Sequence, residues 1–340
     1  MPIGSTNISF SDLRTEYVGG NNNSVSFSQL YRSGSNILEP TVGGLTNAAA
    51  SVPTSGTISL DDFKNTARAF RKTYSSNATN QDASTVFGSD YAVDYPKQII
   101  INNGVELGAT STSNEALQID TGLAGSISIT NNGTITGAGG AAGAAGGDAF
   151  EADVACTLVN NGTIRSGGGG GGTGGNGSVQ TTASNTTYYL GVASTDDCTA
   201  IGYPNSAANN YNVNVGNYCS NPYTSTIDGA SSGVFQYVNY QTGMESGCTM
   251  SCYRKRHIIT NTSGGAGGVG AGYGQSASGG SSGGTSAGNG GAGGAFGTTG
   301  STGANGNVSN GSAGGSAGNA ITGISNVTLT NTGTITGPQA

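Results

Sequence analysis

The stretch "SISITNNGTITG" at residues 126–137 sets a pattern that recurs along the chain. It returns as "CTLVNNGTIRSG" at 156–167 and "VTLTNTGTITG" at 327–337, with weaker relatives at 99–108 and 257–265. Each copy joins a short alternating strand to Asn-Asn-Gly or Asn-Thr-Gly, where Asn-Gly favours a tight turn with positive φ. One unit buries little apolar surface by itself, so the repeats predict short strands that stack and bury one another.

A second regularity is glycine at every third position. It runs through 137–147, 167–177 and 264–270, and is longest from Gly288 to Gly306. A strand has a period of two and an α-helix a period of 3.6, whereas three residues per turn is typical of an extended polyproline-II-type helix. Glycine helices can pack closely and exchange N–H···O=C bonds, which would offset their ordering entropy. We therefore predict a packed bundle of polyglycine-II helices.

Two alternatives exist for the glycine segments. A flexible Gly/Ser linker would not need the three-residue register. A collagen-like triple helix needs Pro-rich triplets, and Pro is absent between 205 and 337.

The composition excludes several classes of protein. The 340 residues include 63 Gly and no Trp, and 34% are hydrophobic, so a conventional aliphatic core cannot fill the molecule. The net charge of −7 disfavours nucleic-acid binding, which needs a basic face. No apolar run reaches the ~18 residues of a membrane helix, and the N-terminus lacks signal-peptide features, so synthesis in a cytoplasm without export is expected.

The N-terminal 1–75 contain three related segments, "ISFSDLR" (8–14), "VSFSQLY" (25–31) and "ISLDDFK" (58–64). Each has Ser three residues before Asp or Gln, as in a capping box, although Asp is short for the return bond. Apolar residues flank each box at the spacing of a hydrophobic staple, so three short helices are predicted, the third being the longest. The staple residues, which are also the candidates for docking onto a larger assembly, are Ile8, Leu13, Val25, Leu30, Ile58 and Phe63. A small independent helical domain is the alternative.

Residues 178–257 interrupt both repeats with a Tyr/Cys-rich insert, predicted to be a loop domain. Tyrosine offers a large contact area at small entropic cost, so the insert is a candidate recognition tip; a local aromatic core is the alternative. The insert also contains a basic run, "RKRH" at 254–257, which could bind an acidic glycan or could form a solvated edge. The recognition candidates are Tyr188, Tyr189, Tyr203, Tyr211, Tyr218, Tyr223, Tyr237, Tyr240, Tyr253, Arg254, Lys255 and Arg256.

The same insert holds most of the cysteines. Cys198, Cys219, Cys248 and Cys252 allow three disulfide pairings, which would stabilise an excursion with a weak core. Zinc binding with His257 is the alternative, but the Cys spacing does not fit it and no metal or other cofactor is predicted. Cys156 lies within a repeat strand and is predicted to be a buried apolar residue.

Catalysis is not expected. The chain has one His, and no hydrolase, zinc-protease or phosphate-loop motif has the strand-then-helix context that its chemistry needs. The paired acids Asp196/Asp197 and Asp228/Glu245 are the only candidates for glycan cleavage.

Glycine segments in a three-residue register, interleaved with polar and aromatic loops, resemble the tip adhesins of T-even-like bacteriophages over roughly 121–340. The resemblance implies stacked glycine helices whose distal loops touch a host receptor. The pattern in 1–72 is similar to attachment modules in structural proteins of marine and cyanobacterial phages, while the "NNGTITG" ladder is more similar to β-helical fibres. Together they imply a virion protein that docks on other tail or head proteins through 1–75 and binds a host surface glycan or outer-membrane protein.

The predicted architecture is mostly β and irregular. Its parts are the attachment module 1–75, a connecting segment 76–120, the β ladder and glycine repeats 121–177, the insert 178–257, and the glycine-rich 258–340 with a final β repeat. A homotrimer is favoured, because fibres are commonly threefold and a thin core favours association; a monomer that caps another fibre is the alternative. The alternative function is a structural virion protein without a receptor, such as a head fibre, collar or decoration subunit.

Overall fold

A computed structural model describes most of the chain. The described residues are 3, 6, 8–18, 27–34, 36–190, 226–229, 234–242 and 250–340. For some of these only the backbone is described, namely 27–28, 180–190, 226–229, 234–242 and 250–259.

Strands dominate the described residues. The α-helices are α1 (Phe10–Val18) and α2 (Ala83–Phe87), and short 3₁₀ helices span Phe27–Leu30, Leu60–Phe63, Gly88–Ala92 and Ile324–Asn326. The strands are β1 (Thr46–Asn47), β2 (Phe70–Tyr74), β3 (Ala78–Thr79), β4 (Gln81–Asp82), β5 (Lys97–Ile101), β6 (Glu106–Gly108), β7 (Leu117–Ile119), β8 (Ile127–Asn131), β9 (Thr134–Thr136), β10 (Phe150–Ala152), β11 (Cys156–Asn160), β12 (Thr163–Arg165), β13 (Gly177–Leu190), β14 (Thr226–Gly229), β15 (Val234–Thr242), β16 (Met250–Thr262), β17 (Ile321–Thr322), β18 (Val327–Asn331) and β19 (Thr334–Thr336). None of the described helices has the length and apolar character that crossing a bilayer requires.

Three parallel sheets form a solenoid, in which each turn of the chain adds one rung. The first sheet has the order β1-β2-β5-β8-β11-β18, the second β3-β6-β9-β12-β19 and the third β4-β7-β10-β17. The chain visits the sheets in the same order in every rung, and all pairs are parallel except β1 with β2. The predicted stack of short strands is therefore confirmed.

The core of the solenoid lies between the three sheets. In the first sheet Ile99, Ile129 and Leu158 stack in register and are fully buried. The alternating burial along β5, β8 and β11 follows from the alternation of apolar residues in the repeat. Each added rung extends one continuous apolar column, and each aliphatic side chain that it buries stabilises the fold by ~1.5–3 kcal/mol.

The prediction that the glycine of Asn-Asn-Gly or Asn-Thr-Gly makes a positive-φ turn is confirmed at Gly104, which has a φ of 79°, and is wrong for Gly133, Gly162 and Gly333. None of the three has a positive φ, and the chain passes from the first sheet to the second at this point. A Cβ on Gly133 would lie 2.2 Å from the Val105 carbonyl oxygen, and one on Gly162 would lie 2.0 Å from that of Gly133. Glycine is needed here because successive rungs approach closely.

The asparagines of the repeat form a ladder inside the corner. The Asn131 Nδ2 donates to Asn160 Oδ1 at 2.8 Å, and the Asn160 Nδ2 donates to Asn331 Oδ1 at 2.7 Å. Asn131 and Asn160 are fully buried, so these bonds satisfy polar groups that would otherwise be costly to bury.

Two segments contribute to the solenoid differently from what the sequence predicts. Residues 76–120, treated above as a connecting segment, contribute strands to all three sheets. The weak repeat at 257–265 is not a rung, because His257 lies in β16 and pairs antiparallel with β13 and β15. Its Ile-Ile-Thr-Asn-Thr letters match the ladder, but its hydrogen-bond partners do not.

The N-terminal module has a core of its own. Leu13, Leu30 and Phe63 are buried in it, and Ile8 and Ile58 pack against it, whereas Val25 lies outside the described residues. The first and third capping boxes form, since Ser9 N and Ser59 N each donate to the Asp three residues later at 2.7 Å.

The third helix of this module is not the longest, which corrects the prediction. It is the four-residue 3₁₀ helix Leu60–Phe63, and Phe70 begins strand β2. Asn65 takes a positive φ of 56° directly after this helix, so the chain turns before a longer helix can form.

Candidate functional site

The glycine-rich segments leave the solenoid between its second and third sheets and form a glycine bundle. The segments are G1a (137–143), G1b (144–148), G2 (167–176), G3 (264–272), G4 (277–283), G5 (288–295), G6 (298–306) and G7 (311–319). They contain almost no α-helix or β-strand, yet their backbones are joined by hydrogen bonds of about the usual length.

Segment G2 is the centre of the bundle. Its amides donate to three different segments, and the donors to each segment recur every third residue. Gly167 and Gly170 donate to G1b. Gly168, Gly171 and Gly174 donate to G3, and Gly169, Gly172 and Gly175 donate to G6. Its carbonyl groups accept from the other three neighbours, G1a, G5 and G7. G2 is therefore bonded to six segments: G1a, G1b, G3, G5, G6 and G7.

The segments around G2 form a closed ring. Backbone bonds join each segment to the next in the order G1a, G1b, G7, G6, G5, G3 and back to G1a. G4 lies outside the ring and bonds to G3 and G5. The ring closes within one chain, so the backbone polar groups of the interior are satisfied without a large apolar core.

Side chains are excluded where G2 meets its neighbours. A Cβ on Gly170 would lie 1.7 Å from the Ala141 carbonyl oxygen, and one on Gly171 would lie 1.9 Å from that of Gly291. Real Cβ atoms essentially never approach a heavy atom within 3.0 Å. Over 167–172 all three phases of G2 face backbone, which explains the unbroken glycine run there, whereas Thr173 and Asn176 are exposed.

The near end of the bundle is fixed to the solenoid by aromatic side chains. The Tyr273 ring lies directly over Gly108, where a Cβ would be 2.0 Å from the ring. The Phe296 ring lies 3.9 Å from the Arg165 guanidinium carbon, and Arg165 forms a 3.0 Å ion pair with Glu106. This cation–π contact and ion pair join the turn between G5 and G6 to β6 and β12.

The far end of the bundle carries the root of the insert. G2 continues into β13, and β16 returns into G3, with Gly177 paired to Thr262. Two turns of the bundle, 284–287 and 307–310, lie beside this root. Val308 in the second turn is 60% exposed, the most exposed large hydrophobic residue among those described.

The described part of the insert is an antiparallel sheet in the order β13-β16-β15-β14, which corrects the prediction of a loop. Alternating β-branched and aromatic residues, as in "VFQYVNYQT" at 234–242, favour strands. The sheet contains Tyr188, Tyr189, Tyr237, Tyr240, Tyr253 and Arg254, Lys255 and Arg256.

Register brings several of the predicted recognition residues together. Tyr240 pairs with Tyr253, and Tyr237 pairs with Arg256. Lys255 lies between Asn185 and Val238 at the middle of the sheet. The tyrosines and the basic run therefore belong to one sheet, although they are far apart in sequence.

Some predicted residues lie outside the described part of the chain. These are Tyr203, Tyr211, Tyr218 and Tyr223, the cysteines Cys198, Cys219 and Cys248, and the acids Asp196, Asp197 and Glu245. Cys252 lies in β16, but the other three cysteines of the insert lie outside the described residues, so the disulfide pairing stays a prediction. Cys156 is a buried free thiol, as predicted, and burial raises its pKa to about 11.

Acidic side chains cluster on the third sheet, away from the insert. Burial, together with a hydrogen bond to Asp82, raises the pKa of Asp120 to about 6. Burial alone would raise the pKa of Asp82 too, but hydrogen bonds from Asp120, Ser84 and Thr85 lower it. Across the described residues, no three His, Cys, Asp or Glu side chains are placed to hold a metal ion.

Sequence reasoning missed the turn at 307–310. Asn307 and Ser309 hydrogen-bond to the root of the insert, and Asn307 N donates to the Ser286 carbonyl. The available signal was "NVSN", which breaks the three-residue glycine register after Gly306.

Comparison with known protein families matches residues 69–340 to the family described as phage tail fibre adhesin Gp38. The match includes the solenoid, the glycine bundle and the insert, and it begins one residue before β2. Curated proteins and solved structures give no match. Members of this family are receptor-binding virion proteins and not enzymes, which confirms the expected function and the expected lack of catalysis. Since the match covers far more than half of its length, the chain belongs to the phage tail fibre adhesin Gp38 family.

Proposed function

We propose that the insert 178–257 is the part of this adhesin that contacts the host receptor, and that the glycine bundle is the stiff support that carries it. The observation that supports this is the hydrogen-bond register of the bundle. Its near end bonds to the solenoid through Gly137, Gly297 and the Asn319 side chain, which donates to Thr322, whereas the insert leaves from the other end at 177 and 262.

We infer that the glycine segments are polyglycine-II helices. Donors that repeat every third residue and a central segment with six bonded neighbours are what such a lattice requires. At a rise of ~3.1 Å per residue, G2 would hold the insert roughly 28 Å from the solenoid over nine residue steps.

The proposed receptor is a host surface glycan or an outer-membrane protein. Tyrosine rings stack on sugars and on apolar protein surfaces, and Arg254, Lys255 and Arg256 supply charge-assisted hydrogen bonds to acidic groups. The paired positions of Tyr237 and Arg256 place one ring and one cation on neighbouring strands. The remaining tyrosines of the insert belong to the same proposed surface.

Attachment to the tail is proposed to use the N-terminal module 1–75. The family match begins at residue 69, so most of this module is additional to the adhesin part. Its described staple residues are buried in its own core or pack against it, so a docking surface would be formed by the folded module as a unit. A closed ring within one chain supports the monomeric alternative, because the bundle needs no second subunit.

Replacing residues 178–261 by Asn-Gly tests the receptor site. Gly177 and Thr262 are antiparallel partners, so a two-residue turn can join them without disturbing the bundle. Phage carrying this variant should assemble intact particles that contain the protein but no longer adsorb to host cells. A matched variant, Gly279→Ala, changes an open position of the bundle and should adsorb normally. Normal adsorption without the insert would contradict the proposal and favour another surface of the adhesin.

A further inference from the structure

The side chain of Asn307 pairs with the first part of the insert as a neighbouring strand would. Its Oδ1 accepts a hydrogen bond from Ser178 N, and its Nδ2 donates to Ser178 O, both at 2.8 Å. Residues of adjacent antiparallel strands exchange N–H···O=C bonds in the same two-way manner. The Asn307 carboxamide therefore makes the pair of backbone hydrogen bonds that a residue of a neighbouring strand would make.

The pair lies on the free edge of the insert's sheet. Strand β13 is at the edge of the sheet, with β16 on its other side. Ser178 pairs in register with Asn261, and its own N–H and C=O both bond to Asn307, on the side away from β16. Asn307 therefore holds the one side of β13 that the sheet leaves open.

Asn307 is itself held at the far end of the bundle. Its backbone N donates to the Ser286 carbonyl at 3.1 Å, and the next residue, Val308, donates to the Asn176 carbonyl at 3.1 Å. The Ser309 Oγ accepts from Asn176 N at 2.8 Å. Because the turn 284–287 and segment G2 both fix this backbone, the carboxamide binds Ser178 without a further cost of ordering the main chain.

The two strands at the root are held by different groups. On the β16 side, Thr262 Oγ1 donates to the Thr285 carbonyl at 2.7 Å, and the carbonyl of Ser263, directly after the strand, accepts from Gly284 N at 3.0 Å. On the β13 side, Ser178 needs a group that can both accept and donate, and a primary amide offers both in the same arrangement as a peptide group. We propose that Asn307 is a positioning residue, which sets the direction in which the insert leaves the bundle and so presents the receptor-binding surface.

Hydrogen exchange of the full-length protein tests the first half of this proposal, which as a whole depends on the receptor role proposed for the insert. In Asn307→Ala, the amide of Ser178 should exchange on the order of tenfold faster, while the amides of G2 keep their protection. Asn307→Asp keeps the acceptor but loses the donor, so it should lie between wild type and Asn307→Ala, and it serves if the Ala variant folds poorly. The matched control is Asn289→Ala, because the Asn289 Oδ1 accepts from Gly283 N at 3.0 Å without touching the root of the insert. Unchanged exchange at Ser178 in both Asn307 variants would overturn the proposal.

Host adsorption tests the second half. A positioning role predicts slower adsorption by phage carrying Asn307→Ala, with a melting temperature close to that of Asn289→Ala. If exchange at Ser178 rises but adsorption does not change, Asn307 ties down the strand without positioning the receptor surface, and the proposal is overturned. The replacement of 178–261 by Asn-Gly separates the two ideas: if it abolishes adsorption, the receptor site stands even where the Asn307 proposal fails.

Discussion

A methyl group on Gly171 should disrupt the glycine bundle, because this residue faces the backbone of G5. The Cβ of Ala at this position would lie 1.9 Å from the Gly291 carbonyl oxygen, where contacts below 3.0 Å essentially do not occur. G2 and G5 would therefore have to separate by at least about 1.1 Å, the difference between these two distances. The bond from Gly291 N to Gly172 O, now 2.8 Å, would not survive that separation.

The expected cost follows from the groups that lose their partners. One buried amide and one buried carbonyl left unsatisfied cost about 1–3 kcal/mol each, and overpacking adds about 1–3 kcal/mol. We expect Gly171→Ala to lower the free energy of unfolding by ~3–9 kcal/mol, a large share of the ~5–15 kcal/mol typical of a folded protein. This corresponds to a fall in melting temperature on the order of 10 °C.

The matched control is Gly279→Ala in G4, where an added Cβ meets no atom within 4 Å. Its φ lies outside the left-handed region, so Ala should be neutral or stabilise by ~0.4–1 kcal/mol through the unfolded state. Calorimetry and hydrogen exchange across 168–174 measure both variants. Equal melting temperatures for the two variants, with unchanged exchange in G2, would refute the close-packed interior.

Three other variants test the solenoid and its junction with the bundle. Asn160→Ala should lower the free energy of unfolding by ~1–3 kcal/mol, because one buried N–H of Asn131 loses its acceptor while Asn131 keeps its bond to the Thr163 carbonyl. Urea unfolding measures the change, and the exposed Asn161→Ala should cost less. Asp120→Asn should flatten the pH dependence of the melting temperature. The raised pKa of Asp120 contributes stability that is present below the ordinary pKa of 3.8 and is lost as the pH rises through about 6, so the melting temperature of wild type should fall over that window and that of the variant should not. Tyr273→Ala should raise hydrogen exchange at the near end of G3 and leave the far end protected, since the ring packs on Gly108; uniform exchange along G3 would contradict this.

The strand repeat could be predicted from sequence because its apolar residues alternate in the same register in every copy. What the copies do could not be derived so directly. Asn-Gly is a common turn signal, and it was interpreted as one, but Asn131 bonds along the stack and Gly133 makes room for Val105. Both roles depend on the neighbouring rung, which a local motif does not contain. The first rung could not be predicted from the repeat, because "FRKTY" at 70–74 is not followed by an Asn-Gly pair.

The insert was predicted as a candidate site but not as a sheet. Its tyrosines and cysteines drew attention to recognition and disulfides, while the period-two pattern at 234–242 was the signal for strands. The pairing of Tyr240 with Tyr253 depends on two strands finding a common register, which composition cannot specify. Asn307 could not be predicted either, because it lies 129 residues from its partner Ser178.

The number of glycines per triplet carries more structural information than their period alone. In G2 all three positions of a triplet face neighbouring backbones, and residues 167–172 are all Gly. In G5 two positions of each triplet are Gly, and the third, at Asn289, Ala292 and Ala295, is exposed. In G6 one position is Gly, as at Gly300 and Gly303, where a Cβ would collide with the carbonyl groups of G2. In these three segments glycine is thus retained where a backbone approaches and is replaced where the segment faces solvent, as the entropic cost of glycine would favour. For G2, G5 and G6 the number of glycines per triplet therefore follows the number of covered faces, and the all-glycine run 167–172 belongs to the central segment.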